Sequence, residues 1–287
     1  MIKLVKRALI PVAGLGTRLL SATKEQPKEM LPIFVSSENG TLCLKPMVQQ
    51  IFEQLFDFGI REFYFIVGKT KRAIEDHFTP DYSFVDYLKN KNKPELAREM
   101  QEYYNKISDS TMVFINQPKP KGFADAVYQA KVFTQNEPFL MHAGDDLVFS
   151  QNNSHLKRLM KIFEQRNADV AFLVEEVEEP QKYGVVIGKE VKPYLFEVEN
   201  VIEKPKKPVS NLAVIALYIF KPVIYEGIER AKPDERGEMQ IADAVQVLLK
   251  RQCKVYALKL MPGERRIDIG TPETYLETLK GVLQRPS

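Results

Sequence analysis

The segment Ala13-Gly14-Leu15-Gly16-Thr17, followed at once by Arg18 and ten residues later by Lys28, combines the residue types that gather phosphate. Gly14 and Gly16 carry no side chain to hold a polyanion away from backbone N–H groups, and Arg18 and Lys28 flank the loop as cations. A nest of N–H donors between cations is what a nucleoside triphosphate needs. A bare Gly-x-Gly serves equally well as a tight strand-to-helix turn; Arg18 and the run Pro27-Lys28-Glu29-Met30-Leu31-Pro32 favour phosphate. Two better-known loops do not fit. The dinucleotide fingerprint needs a third glycine where this chain has Leu19, and Gly16-Thr17-Arg18 does not supply the Gly-Lys-Ser/Thr of a Walker A loop.

Three acids stand in contexts that suit a hard cation. Asp145 and Asp146 follow the apolar run Phe139–Ala143, and Asp268 lies in Arg265-Arg266-Ile267-Asp268-Ile269-Gly270. Adjacent carboxylates point in different directions, so one of the pair at most binds a given ion. Mg²⁺ takes one or two protein carboxylates and completes its shell with phosphate oxygens and water, a count that Asp145 plus Asp268 meets. Either Asp could equally be a helix cap or turn residue. Glu203-Lys204-Pro205 closes another apolar strand; it reads as a solvated ion pair or as a pocket edge, with Glu203 for sugar hydroxyls and Lys204 for a phosphate.

The histidines, His77, His142 and His155, are scattered, and neither they nor Cys43 and Cys253 have metal-ligand spacing. A reaction without a histidine base fits this inventory. A phosphate monoester attacking an α-phosphate is already largely a dianion at neutral pH, its second pKa being about 6. The barrier is to bring two polyanions together and stabilise the displaced pyrophosphate, which is work for position, metal and cations such as Arg18, Lys28 and Lys204.

The elements that must position these groups alternate. Strand-like Ala8–Val12, Phe63–Val67, Met112–Ile115, Phe139–Ala143 and Val170–Val174 are separated by helix-like Pro46–Phe58, Thr70–Phe78, a helical insertion over 81–109, Phe123–Phe133 and Asn153–Arg166. That alternation predicts an α/β fold with a mostly parallel sheet. The second half changes texture: Gly184–Ile187, Phe196–Ile202 and Leu212–Phe220 predict antiparallel strands. Helices at Glu238–Lys250 and Thr274–Leu283 then bracket a strand pair at Val255–Leu258 and Arg265–Ile269, and Ser36-Ser37-Glu38-Asn39-Gly40 reads as a hairpin turn. The 41 Lys and Arg against 38 Asp and Glu leave a net charge of +3, too balanced for a nucleic-acid or membrane footprint. With no signal peptide or long apolar run, a cytoplasmic protein is expected.

With these residues assembled, the chain resembles the bacterial-type UTP–glucose-1-phosphate uridylyltransferases (UDP-glucose pyrophosphorylases) of the sugar-phosphate nucleotidyltransferase superfamily. The resemblance runs through Ile10–Arg18, Ala22-Thr23-Lys24, Pro27–Pro32, Lys71–Phe78, Tyr183–Val186, Glu203–Pro205, Asn211–Ala213, Gly237–Ala244 and Asp268–Gly270. It implies a Rossmann-like nucleotide-diphospho-sugar transferase fold in one domain over 1–287. Residues 1–175 would serve mainly the nucleotide, 176–270 mainly the sugar phosphate, and 271–287 a helix for subunit contact in a dimer or tetramer.

It further implies Mg²⁺ on Asp145 and Asp268, with Ala13, Gly14, Leu15, Gly16, Thr17, Arg18 and Lys28 around the triphosphate. Gln117 and Gly122 would meet the uracil edge, with Asp146 near the nucleotide, and Glu29, Gly184, Glu203 and Lys204 would hold the sugar phosphate. Arg18, Lys28 and Lys204 would carry the catalysis. The implied reaction takes UTP (or dTTP) and glucose 1-phosphate to the nucleotide sugar, UDP-glucose, and pyrophosphate. A thymidylyl or broad-specificity relative is the alternative, and a non-catalytic nucleotide-sugar sensor a further one.

Three departures stand out. Gly122-Phe123-Ala124-Asp125-Ala126 replaces the usual Gly-Leu-Gly-His-Ala, which brings base selectivity into question. Ile215-Ala216-Leu217-Tyr218 replaces Val-Gly-Arg-Tyr, which is either a core strand or an altered sugar preference. An insertion of about ten residues lies near Ser36–Cys43.

Overall fold

The computed structural model describes residues 5–36, 40–134 and 136–283. Largely apolar runs form its central strands, because both faces of that sheet are covered. Along the chain come β1 (Arg7–Pro11), the hairpin strands β2 (Pro32–Ser36) and β3 (Leu42–Pro46), α1 (Met47–Phe58), β4 (Glu62–Val67), α2 (Arg72–His77), α3 (Tyr82–Asn90), α4 (Pro94–Ser108) and β5 (Thr111–Asn116). Next follow α5 (Phe123–Gln129), β6 (Phe139–His142), β7 (Asp146–Phe149), α6 (Ser154–Gln165) and β8 (Val170–Glu176). The remainder is β9 (Gly184–Lys192), β10 (Leu195–Glu203), β11 (Leu212–Phe220), α7 (Ile224–Arg230), α8 (Ile241–Lys250), β12 (Val255–Lys259), β13 (Arg265–Asp268) and α9 (Pro272–Leu283). No helix among the described residues is long and apolar enough to cross a membrane.

Nine strands form one mixed sheet in the order β5-β4-β1-β6-β11-β8-β12-β10-β9. The block β5, β4, β1, β6 is parallel, as predicted; β11 runs antiparallel to β6 and β8, and β9 and β10 form an antiparallel ribbon. Alternation within β4 shows why both faces must be covered: Phe63 and Phe65 enter one apolar layer with Phe52, while Tyr64 and Ile66 enter the other with Phe139 and Phe220. α3 and α4 are the insertion expected over 81–109, and the Asp81 side chain caps α3 by accepting from Phe84 N.

The structure departs from the sequence reading in four places. β7 and α7 were not anticipated. The segments Val255–Leu258 and Arg265–Ile269 do not pair with each other: β12 lies between β8 and β10, whereas β13 pairs with β7 in a separate two-stranded sheet. The helix expected to reach Phe133 ends at Gln129, and the chain continues in tight turns in which Lys131 N donates to Tyr128 O and Phe133 N to Ala130 O. β2 and β3 pair from Pro32–Pro46 to Ser36–Leu42 and so bracket the expected hairpin turn, whose residues 37–39 lie outside the described ones.

Candidate active site

In open α/β sheets ligands gather beyond the carboxyl ends of parallel strands. Here β1 delivers the Gly14–Gly16 loop, β4 leads to Lys71, β5 to Gln117 and β6 to Asp145. Residues 14–18 are largely exposed at this edge. Thr23 Oγ1 donates to Gly16 O at 2.8 Å and pins the loop from behind. Gly144 must be glycine, because a Cβ there would lie 2.5 Å from Val12 Cγ1 and 3.1 Å from Glu29 Cγ. The β6 end can thus press against the β1 loop.

Asp145 and Asp268 come together although they lie far apart in the chain. Register pairs Asp268 with Asp146, and Ile269 N donates to Asp145 O at 3.1 Å. The Lys28 ammonium forms an ion pair with the Asp145 carboxylate, and both side chains are largely buried. Burial disfavours the charged forms of both, but their mutual attraction wins: the Asp145 carboxyl titrates below its ordinary range and Lys28 above its own. Arg18 arrives from the other side, its Nη2 being 3.4 Å from where a Cβ on Gly270 would stand.

Asp268 has no such partner in full. Burial, then the charges of Asp146 and Asp145, push its carboxyl up to about 7 against the opposing pull of Arg266 and Lys28. A carboxyl that holds its proton more tightly folded than unfolded makes stability fall as pH rises from 3.8 to about 7. Without metal or nucleotide, Asp268 therefore lowers the melting temperature between about pH 4 and about pH 7. Thermal unfolding of D268N should lack that part of the slope; a profile as steep as the parent's would contradict it.

Two of the expected ligand residues already have protein partners. Asp146, expected near the nucleotide, is buried and spends both carboxylate oxygens on Arg266, at 2.7 and 2.8 Å, and one of them also on Ala216 N at 3.1 Å. Arg266 Nη1 reaches Glu175 at 2.8 Å and its guanidinium lies over the Tyr183 ring. This buried fork ties β7, β13 and β11 together, and no local pattern in the chain announces it. Glu29, expected on the sugar phosphate, is instead 1% exposed and paired with Lys71 at 2.9 Å. A carboxylate buried there supports the cations beneath the loop and would repel a phosphate.

Gln117 and Gly122 do meet, at the end of β5. The Gln117 amide nitrogen donates to Gly122 O at 3.2 Å and to Asp125 Oδ2 at 2.7 Å. Residues of the Gly237–Gln240 segment clasp this loop: Met239 N donates to Lys121 O, and Ala124 N to Met239 O. Gly122 has φ +102° and a Cβ there would fall 2.6 Å from both Met239 N and Met239 O. G122A should therefore lower stability by about 1–3 kcal/mol and raise the KM for the nucleotide, measured by thermal melting and initial rates. Unchanged values for both would show that the clasp is dispensable.

On the far side, Gly184 faces Glu203, whose Oε2 would lie 3.0 Å from a Cβ at that position. Val185 pairs with Ala213, which draws this end of the β9–β10 ribbon to the start of β11. β11 then passes Asp146 at Ala216, so Glu203 and the acids share one neighbourhood. Lys204 lies at the rim, half exposed and paired with Glu203 at 2.9 Å. Leu217 is fully buried in the core, the bland of the two readings of that departure. Beside Asp268 a cavity of about 300 Å³ is lined by Tyr183, Arg266, Glu175 and Thr274. His142 is buried with Nδ1 on Ala143 O, and burial keeps it neutral.

The Nucleotidyl transferase family model matches residues 7–285. The UTP–glucose-1-phosphate uridylyltransferase of Streptococcus pneumoniae is 37% identical over 281 residues, covering 96% of this chain and 89% of that one. The enzyme of the same name from Pseudomonas aeruginosa is 34% identical over 279 residues, covering 96% and 94%. Among solved structures, a UDP-glucose pyrophosphorylase complexed with UDP-glucose matches with a TM-score of 0.84 and 32% identity, covering 99% of this chain and 100% of that one.

Proposed function

Because the chain belongs to the nucleotidyl transferase family, we propose that it transfers the uridylyl group of UTP to glucose 1-phosphate, giving UDP-glucose and pyrophosphate. The observation that carries this reading is the convergence of Asp145, Asp268 and Lys28 beside the Gly14–Arg18 loop. A phosphate oxygen of the sugar phosphate attacks the α-phosphorus in line, the bond to the bridging oxygen of the β-phosphate breaks, and pyrophosphate leaves with that electron pair. No proton need move, so the buried histidines are not required.

Lys28 and Arg18 stabilise charge on the triphosphate, and Glu203 with Lys204 holds the sugar phosphate at the opposite wall. Asp145 and Asp268 are the residues that would hold Mg²⁺. Their fit is supported by position: Ile269 N donates to Asp145 O, which brings the two acids to one edge, and they lie near enough for the Asp145 charge to act on Asp268. Among the described residues no three His, Cys, Asp or Glu side chains converge as a metal cage, and two carboxylates suit an ion that shares its shell with phosphate. When bound, Mg²⁺ neutralises part of the phosphate charge.

The test is pyrophosphate release from UTP, dTTP, CTP and ATP, each against several sugar 1-phosphates with Mg²⁺. UTP with glucose 1-phosphate should be the fastest pair. A faster rate with dTTP would favour the thymidylyl reading, and no release from any pair would favour the sensor.

A further inference from the structure

Asp125 stands where the uridylyltransferase pattern has a histidine, in the first turn of α5. A carboxylate there suits the helix dipole, so a purely structural role is available to it. Its hydrogen bonds go further. One oxygen accepts from Gln117 Nε2 at 2.7 Å and the other from Gln129 Nε2 at 3.4 Å. A carboxylate only accepts, so an amide that faces it must present its NH₂ group. The NH₂ of Gln117 also donates to Gly122 O at 3.2 Å, which commits both of its hydrogens. Gln117 is 6% exposed, and its carbonyl oxygen Oε1 is the atom left to address a base.

We propose that Asp125 is a positioning residue that fixes the Gln117 amide with its oxygen toward the base, so that the site accepts the N3–H of uracil or thymine and rejects the N3 lone pair of cytosine. This rests on the reading of Gln117 as a base contact. A neutral amide free to rotate would serve either base: Oε1 would accept from a uracil N3–H, and Nε2 would donate to a cytosine N3. The carboxylate, the nearer of the two acceptors on Nε2, works with Gly122 O against the second option. Sites that leave a polar group unpaired against the wrong partner discriminate strongly, so losing the shorter of the two bonds that orient the amide should weaken the preference.

The experiment compares kcat/KM for UTP and for CTP, with glucose 1-phosphate and Mg²⁺, in the parent, D125A, D125N and Q117A, with melting temperatures alongside. D125A should lower the UTP/CTP ratio by about tenfold or more, through a raised KM for UTP and a gain with CTP, while kcat with UTP changes less. D125N, whose side-chain oxygen can accept the same hydrogen bond, should fall between D125A and the parent. Q117A should collapse the ratio. A D125A ratio within about twofold of the parent's, with Q117A collapsed, overturns the role of Asp125 and leaves Gln117 at the base. An unchanged ratio in Q117A overturns both. If D125A fails to fold, D125N decides: a fall of about threefold or more supports the proposal, and no fall overturns it.

Discussion

D145N should lower kcat for pyrophosphate release by about 10³-fold with saturating substrates and Mg²⁺. The substitution keeps the volume and removes the charge, so the loss reads electrostatics and not packing. It also takes from Lys28 the partner that outweighs its burial, although Glu29 still favours the charged ammonium. The stability cost should accordingly stay at about 1–3 kcal/mol, below what breaking a fully buried pair costs. Steady-state rates and calorimetric unfolding separate the two effects. A kcat within about tenfold of the parent's, in a folded variant, would remove Asp145 from the chemistry.

K28M is expected to cost about 10²–10³-fold in kcat and to raise the KM for UTP. Methionine replaces the aliphatic stem and leaves the acids without their shared cation: Asp145, Glu29 and Asp268 all act on Lys28. With only a backbone hydrogen bond and Arg18 left against burial, the Asp145 carboxyl should move up from its present low position, and activity lost at neutral pH should partly return at higher pH. Combining K28M with D145N should cost much less than the two separate losses together, because each change already breaks the same pair. Strict additivity in a double-mutant cycle would show that the two residues act independently.

The parts of this arrangement that were legible in the sequence are those with a local signature. β1, β4, β5 and β6 are short apolar runs bounded by turn residues, and the Gly14–Arg18 loop carries its chemistry in consecutive residues. Pairing partners were not legible. β7 is four residues long and became a strand only because β13, more than a hundred residues later, lies against it. The strand pair read at Val255–Leu258 and Arg265–Ile269 was an inference from proximity in sequence, and tertiary contacts overrode it.

The protein partners of two expected ligand residues were illegible for the same reason. Asp146 looked as available as Asp145, yet it is held by Arg266, an arginine 120 residues later in the chain. Glu29 sits beside Lys28 in the chain, but only the position of Lys71 shows that it faces inward. The orienting bond from Gln117 to Asp125 likewise joins a strand end to a helix start across a loop, where no spacing rule applies.

The β7–β13 sheet sets an order of events during synthesis. A nascent chain that has emerged only as far as Leu260 has produced all nine strands of the large sheet, together with the phosphate loop and Asp145. It has not yet made Asp268, or the arginine that locks Asp146 in place. A chain ending ahead of Arg265 would hold every strand of the large sheet and lack both Asp268 and Arg266. Among the described residues β13 is the last strand in the chain, so its pairing with β7 can form only after every strand of the large sheet has been made.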